Sequence, residues 1–173
     1  MKETRFYDEA VSNFYSDKVL GSYPISSLDF YAQHFSRVCT DLKDIKNLSD
    51  LAQKEKWEQD IPFRNEILDK QHIVVVTDTN LNIVYASTNI SLMNGYSPNE
   101  IIGKKPKMFQ GKDTCKETTQ KVSLAIQQQE PFEVILTNYR KNGTSYNCWI
   151  KGSPVRDKSG KVVNFIAFEK EVA

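Results

Sequence analysis

An α+β domain with a helical extension in front of it is the fold class that this 173-residue sequence predicts. Three observations predict it. The apolar residues change period near Lys70, from the three- and four-residue spacing of helices to the two-residue alternation of strands. Beyond that point two strand-like runs, a helical stretch and three more strand-like runs follow in order. Short turns join neighbouring runs, so the strands are antiparallel and the helices gather on one face. Finally, 39% hydrophobic residues are enough for a core, and seven Gly and six Pro are too few for a low-complexity chain.

In the first half, Phe6, Tyr7, Ala10, Val11, Phe14 and Tyr15 mark a short amphipathic helix over residues 3–16, broken by Gly21, Ser22 and Pro24. A second helix opens at Ser26, where Ser26-Ser27-Leu28-Asp29 resembles a capping box with Asp in place of Glu. Leu28, Tyr31, Phe35, Val38, Leu42 and Ile45 follow in alternating steps of three and four, an a/d seam. This seam is either a face packed on the chain's own domain or a contact for a second copy or partner helix. A third short helix runs from Phe63 to Asp69 after Pro62.

In the second half, His72 to Thr77 holds the apolar run Ile73-Val74-Val75-Val76, and Asp78-Thr79-Asn80-Leu81-Asn82 turns the chain into a second strand, Ile83 to Ala86. Ser97-Pro98-Asn99-Glu100 is a full capping box, and Thr114-Cys115-Lys116-Glu117 reads as another, opening a helix to Gln128 with Thr118, Val122, Ala125 and Ile126 inward. Phe132 to Arg140 sets Phe132, Val134, Leu136 and Asn138 on one face. Asn142-Gly143 predicts a type I′ hairpin turn into the strand Thr144 to Val155, and Asp157-Lys158-Ser159-Gly160 turns the chain into the last strand, Lys161 to Val172.

Charge excludes little: 23 basic and 22 acidic residues leave +1, with about −3 up to Lys70 and +4 after it. No apolar run is long enough for a membrane span and no leader opens the chain, which points to the cytoplasm. Cys39, Cys115 and Cys148 are far apart and fit neither a zinc site nor a disulfide framework. His34 and His72 sit where a haem or metal site is not expected. No nucleophile elbow, Walker loop or zincin motif is present, so no enzymatic activity is expected. Lys104, Lys105, Lys107, Lys112, Lys116 and Lys121 form a solvated basic face or a surface for an anionic ligand or acidic partner. The arginine and aromatic interleaving of a nucleic-acid site is missing from that stretch.

Four stretches, IVVVTDTNLNIVYAS, NGYSPNEIIGKK, NYRKNGTSYNCW and GSPVRDKSGKVVNFIAFEKEV, stand in order across residues 71–173. Along that length the chain resembles a PAS domain, with residues 1–70 as a helical extension that caps the sheet or dimerises. The resemblance implies the PAS fold: a five-stranded antiparallel sheet of order 2-1-5-4-3, helices enclosing a pocket, and a sensory or protein-interaction role in signal transduction. With the chain stopping at Ala173 after the last strand, the expectation is a stand-alone module whose output passes through the N-terminal helices, to a second copy in a homodimer or to a partner protein.

Within the family, the chain is most similar to the light-sensing, flavin-binding LOV subgroup. The subgroup's motif G-R-N-C-R-F-L-Q-G falls on Gly103 to Gly111, which places Pro106 where the flavin-attacking cysteine stands. Proline carries no thiol, so the resemblance implies no covalent photochemistry at this position. Gln110 and Asn138 match ring contacts. Lys107 replaces a phosphate-pairing arginine, keeping the charge but losing the fork, and Ser123 replaces a second. Cys148 stands at a ring asparagine and Glu169 at a ring glutamine, where a carboxyl must be protonated to donate as an amide does. Gln110, Asn138, Cys148, Glu169 and Lys107 are therefore the candidate ligand contacts, for FMN, another flavin or a different small molecule held non-covalently. Phe165 and Ala167 share strand parity with Glu169 and are expected to line the same pocket.

Overall fold

The computed structural model describes residues 26–173, with side chains from residue 32 onward. The helix expected over residues 3–16 and the capping side chains of Ser26 to Asp29 lie outside the described residues. Helix α1 spans Ser26–Lys54, and a π-helical turn at Asn65–Asp69 occupies the place of the third short helix. Strands β1 (Ile73–Asp78) and β2 (Ile83–Ala86) come next. Two short helices, α2 (Ile90–Asn94) and α3 (Pro98–Ile101), a 3-10 turn at Pro106–Phe109 and helix α4 (Lys116–Gln128) lead to β3 (Phe132–Tyr139), β4 (Ser145–Arg156) and β5 (Val162–Val172). The sheet is antiparallel with order β2-β1-β5-β4-β3.

Ile73, Val74, Val75 and Val76 are all buried because β1 is covered on both faces. Ile73 and Val75 belong to a core formed with Ile83, Ile90, Met93, Ile101 and Phe109, under the helices that follow β2. Val74 and Val76 point the other way, into a core built with Leu48, Trp57, Phe63, Ile67, Val155 and Ile166. The segment before β1 thus supplies a layer on the opposite face of the sheet, packed within the compact unit of residues 38–173. Trp57 anchors that layer. Its indole N–H donates to Asn164 Oδ1 at 2.9 Å, and Asn164 donates in turn to the carbonyl of Thr77.

The face α1 turns to the sheet differs from the predicted seam. Asp41, Asp44 and Leu48 are buried and Ile45 packs beside them, while Phe35 is 71% and Leu42 45% exposed. Asp44 is tolerated inside because its carboxylate accepts from Tyr85 Oη at 2.7 Å, the Thr88 amide at 2.7 Å and Thr88 Oγ1 at 3.1 Å. This tie joins α1 to the loop that opens α2.

Two local predictions change in form. The β3–β4 connection is a type I turn followed by Gly143 at φ 87°, with a Gly143 N–H to Arg140 carbonyl bond, and not a type I′ turn. Asn142 keeps a negative φ because its side-chain oxygen accepts from both the amide and the hydroxyl of Thr144. Cys115, not Thr114, is the N-cap of α4. Thr114 spends its hydroxyl on the Thr137 carbonyl at 2.6 Å and on the Gly111 amide at 2.9 Å, so it ties the loop before α4 to β3. The box at Ser97 forms as predicted, with the Ser97 amide donating to Glu100 at 2.9 Å. Glu100 also meets Lys141, which together with Ser97 holds its carboxyl down at about 2.

Candidate functional site

Antiparallel alternation decides which side chains face the helices. On β1 these are Val75 and Thr77, on β5 Phe165, Ala167 and Glu169, on β4 Ile150, and on β3 Phe132, Leu136 and Asn138. Across from them stand the 3-10 turn and α4. The two walls meet at Phe109 and along β3 but leave a cavity of about 390 Å³ between them, inside the range of roughly 300–1,000 Å³ usual for small-molecule sites. Helix α4 shows the gap from its own side. Of the residues expected inward, Val122 and Ile126 line the cavity, Thr118 and Ala125 do not, Thr119, Gln120 and Ser123 line it instead, and no residue of the helix is fully buried. Gly152 makes room for the wall residue Phe132, whose ring lies over it where a Cβ would come within 2.3 Å.

Of the five predicted contacts, the structure brings Lys107, Gln110, Asn138 and Glu169 to the cavity wall. Cys148 is set behind it, fully buried among Met93, Phe109 and Tyr146, because this packed cluster closes the space in front of its thiol. Cys148 still touches the site, since its Sγ donates to Glu169 Oε2 at 3.8 Å. Phe165 and Ala167 line the cavity as their parity predicts. Pro106 lies on the wall at the start of the 3-10 turn, with Lys105 and Lys107 on either side of it. Ser123 also lines the cavity, and its hydroxyl donates to the Thr119 carbonyl of its own helix.

Thr77 is a wall residue that sequence reasoning missed, and the parity that found Phe165 would have found it too, since the two pair across β1 and β5. Its hydroxyl is buried with no hydrogen-bond partner. Glu169 is only 6% exposed and lies between Ile73 and Ile150 on the central strand. Burial with no cation beside it pushes its carboxyl up to about 7, the Cys148 thiol opposing weakly. Burial and Glu169 push the Cys148 thiol up as well, so it stays protonated. The wall is therefore apolar over most of its area, with polar groups at Asn138, Gln110 and Glu169 and basic side chains at Lys105 and Lys107. None of the six lysines of the basic run makes an ion pair among the described residues, and all but one of their neighbours Pro106, Met108, Phe109 and Gln110 are only part-buried.

Other chemistry finds no comparable site. His34 is exposed on α1, and His72 bonds Glu66 at 2.7 Å and stacks on Trp149 at 5.0 Å. Among the described residues no cluster of three His, Cys, Asp or Glu could hold a metal, and no helix is long and apolar enough to cross a membrane.

A five-stranded antiparallel sheet of this order, roofed by short helices over an internal cavity, defines a class of sensory domain. Residues 71–172 match the profile of the PAS domain family, and the chain belongs to that family. Within it the chain is similar to light-oxygen-voltage domains. It is 36% identical over 114 residues to Phototropin-2 of Oryza sativa subsp. japonica, which covers 64% of this chain and 13% of that protein. It is 34% identical over 102 residues to a blue-light photoreceptor of Listeria innocua, covering 57% of this chain and 40% of that protein. Among solved structures it superposes on one described as a flavin-analogue study of light-oxygen-voltage domain mechanism, with TM-score 0.61 and 28% identity over 66% of this chain and 87% of the other. The chain thus spans well under half the length of these curated relatives.

Proposed function

We propose that this PAS domain is a sensory and interaction module that holds a planar small molecule, with a non-covalently bound flavin as the first candidate. The observation that supports this reading most is the cavity itself, apolar in its body, with Thr77 Oγ1 buried on its wall without a hydrogen-bond partner and Glu169 held only by a long contact from the Cys148 thiol. Buried polar groups without partners cost about 1–3 kcal/mol each, which favours an occupant that pairs them.

A flavin fits the residues present. Asn138, Gln110 and Glu169 offer hydrogen bonds to a ring edge, and the apolar side chains Val75, Leu136, Ile150 and Phe165 would hold its faces. Lys105 and Lys107 are placed for a phosphate at the mouth, each as a point charge. When bound, a flavin supplies visible absorption and redox chemistry. With Pro106 on the wall and Cys148 behind it, no thiol on the wall stands ready to bond the ring.

Output through the N-terminal helices completes the proposal. Leu42 leaves an apolar position of α1 uncovered, and the other side of the same helix is tied to the domain by Asp44. A change in the cavity that biases this two-state junction would be passed to a second copy or to a signalling partner. Substitution of Asn138 by Ala tests the site. The variant should keep the cooperative unfolding of the wild type while losing the thermal stabilisation given by FMN or riboflavin, about 2.7 kcal/mol at a hundredfold excess over Kd. Equal stabilisation of both proteins would remove Asn138 from the site.

A further inference from the structure

Glu169 is the one acidic side chain on the cavity wall. Its neighbours along the sheet are Ile73 and Ile150, and its sole hydrogen-bond partner among the described residues is the Cys148 thiol, which donates to Oε2. Oε1 is left without a protein donor. A carboxylate in this position would be a bare charge in an apolar hollow, so either the carboxyl is neutral or its ligand brings a positive charge. The basic side chains decide between the two. Lys105 and Lys107 line the mouth, and the other exposed lysines of the same run stand nearby in the chain, a field that repels cations and admits neutral or anionic molecules.

We propose that Glu169 is the specificity-determining contact of this cavity: as a neutral carboxyl it donates from Oε1 to a hydrogen-bond acceptor on the edge of an uncharged planar heterocycle, so that occupancy is coupled to a bound proton. The proposal rests on the cavity reading above and adds the kind of edge the cavity selects. Asn138, elsewhere on the same wall, offers an amide, whose donor and acceptor serve at any pH. A glutamine at position 169 would recognise the same edge without the proton linkage.

The groups around Glu169 leave it as the one that titrates near neutrality. Cys148 and Tyr146 approach from β4, and burial pushes both upward, which keeps them uncharged. Glu171, opposite Cys148 on β5, is paired with Arg140 at 2.6 Å. Strands β1 and β3 and helix α4 bring only uncharged side chains to the cavity, and the lysines are confined to its mouth. With the carboxyl held up at about 7 by burial, affinity for an acceptor-edged ligand is full below that pH and falls above it.

Riboflavin is the suitable probe, because it lacks the phosphate that would titrate in the same range. Its Kd for the full chain and for Glu169→Gln is measured from pH 6 to pH 9, alongside isotope-edited infrared spectra of both ligand-free proteins. The expected result is a wild-type Kd that is level at low pH and rises by close to tenfold per pH unit above about 7. Glu169→Gln should give a level Kd throughout, and a protonated-carboxyl band should be present in the wild type at pH 6 and missing from the variant. Tight binding that does not vary with pH, the same slope in both proteins, or no protonated carboxyl at pH 6 overturns the assignment and leaves the cavity reading standing. No binding of riboflavin or FMN by either protein at any pH takes down both.

Discussion

Asp44 and Glu169 are both buried carboxyls in different surroundings. Asp44 accepts three hydrogen bonds, while Glu169 has one long contact to a thiol. Glu169 therefore carries a stability signature of its own. Its carboxyl is raised from an ordinary 4.5 to about 7 in the folded state, so between those values the folded chain binds a proton that the unfolded chain has released. Its contribution is full below pH 4.5, declines as pH rises toward 7, and is lost above it, amounting to about 3 kcal/mol. Glutamine has no such dependence. Urea unfolding of wild type and Glu169→Gln from pH 4 to 8 should show the two diverging across that window, with the variant the more stable at pH 8; parallel curves would contradict the raised carboxyl. This behaviour was half legible in the sequence. The family resemblance placed Glu169 at a ring contact, but the missing cation beside it is a fact of tertiary packing. The same resemblance set Cys148 at a ring contact, and it cannot tell whether a neighbouring cluster has closed over the thiol.

The elements were legible wherever a local signal fixed them. Strict alternation gave β3 and β5 their faces, and Ser97 with Glu100 marked the start of α3. Turn chemistry was legible as position more than as type. Asn-Gly placed the β3–β4 turn correctly, but the Asn142 side chain bonds Thr144 and so favours the bulged form. The docking face of helix α1 was not legible for a physical reason: the heptad rule follows apolar residues, and the face that docks here includes Asp41 and Asp44. A buried carboxylate is invisible to a hydrophobicity pattern until its donors, Tyr85 and Thr88, are brought to it from 41 and 44 residues away. That tie is the clearest element-scale prediction. Asp44→Ala strands the Thr88 amide and the Tyr85 hydroxyl in a part-buried site and should cost about 2–4 kcal/mol in urea unfolding. Hydrogen exchange should accelerate in α1 ahead of the strands. A loss below 0.5 kcal/mol would mean that α1 is held by its apolar contacts alone.

At the scale of the molecule, the sheet carries two different layers. One is solid, built by Leu48, Trp57, Phe63 and Ile67 against Val74 and Val76. The other is partly hollow: beside the core of Ile73, Val75, Ile90 and Phe109 it leaves the cavity between α4 and the sheet. Composition and periodicity could predict helices beside a sheet but not the hollow, because an unfilled volume belongs to no single residue. The uncovered Leu42 on α1 carries the association prediction. If it is the contact between copies, Leu42→Glu should shift the protein toward monomer in light scattering while leaving the unfolding midpoint within about 0.5 kcal/mol, as for other exposed positions. A wild-type protein already monomeric at every concentration would direct attention to a different partner.

The central claim is that the hollow layer holds a planar ligand, and the visible absorption spectrum of the purified, undenatured protein tests it most directly, before and after addition of FMN. The account predicts a structured flavin band, carried through purification or acquired on addition, that is released intact on denaturation because no bond joins it to the chain. A colourless protein that neither takes up flavin nor gains thermal stability from it would contradict the account.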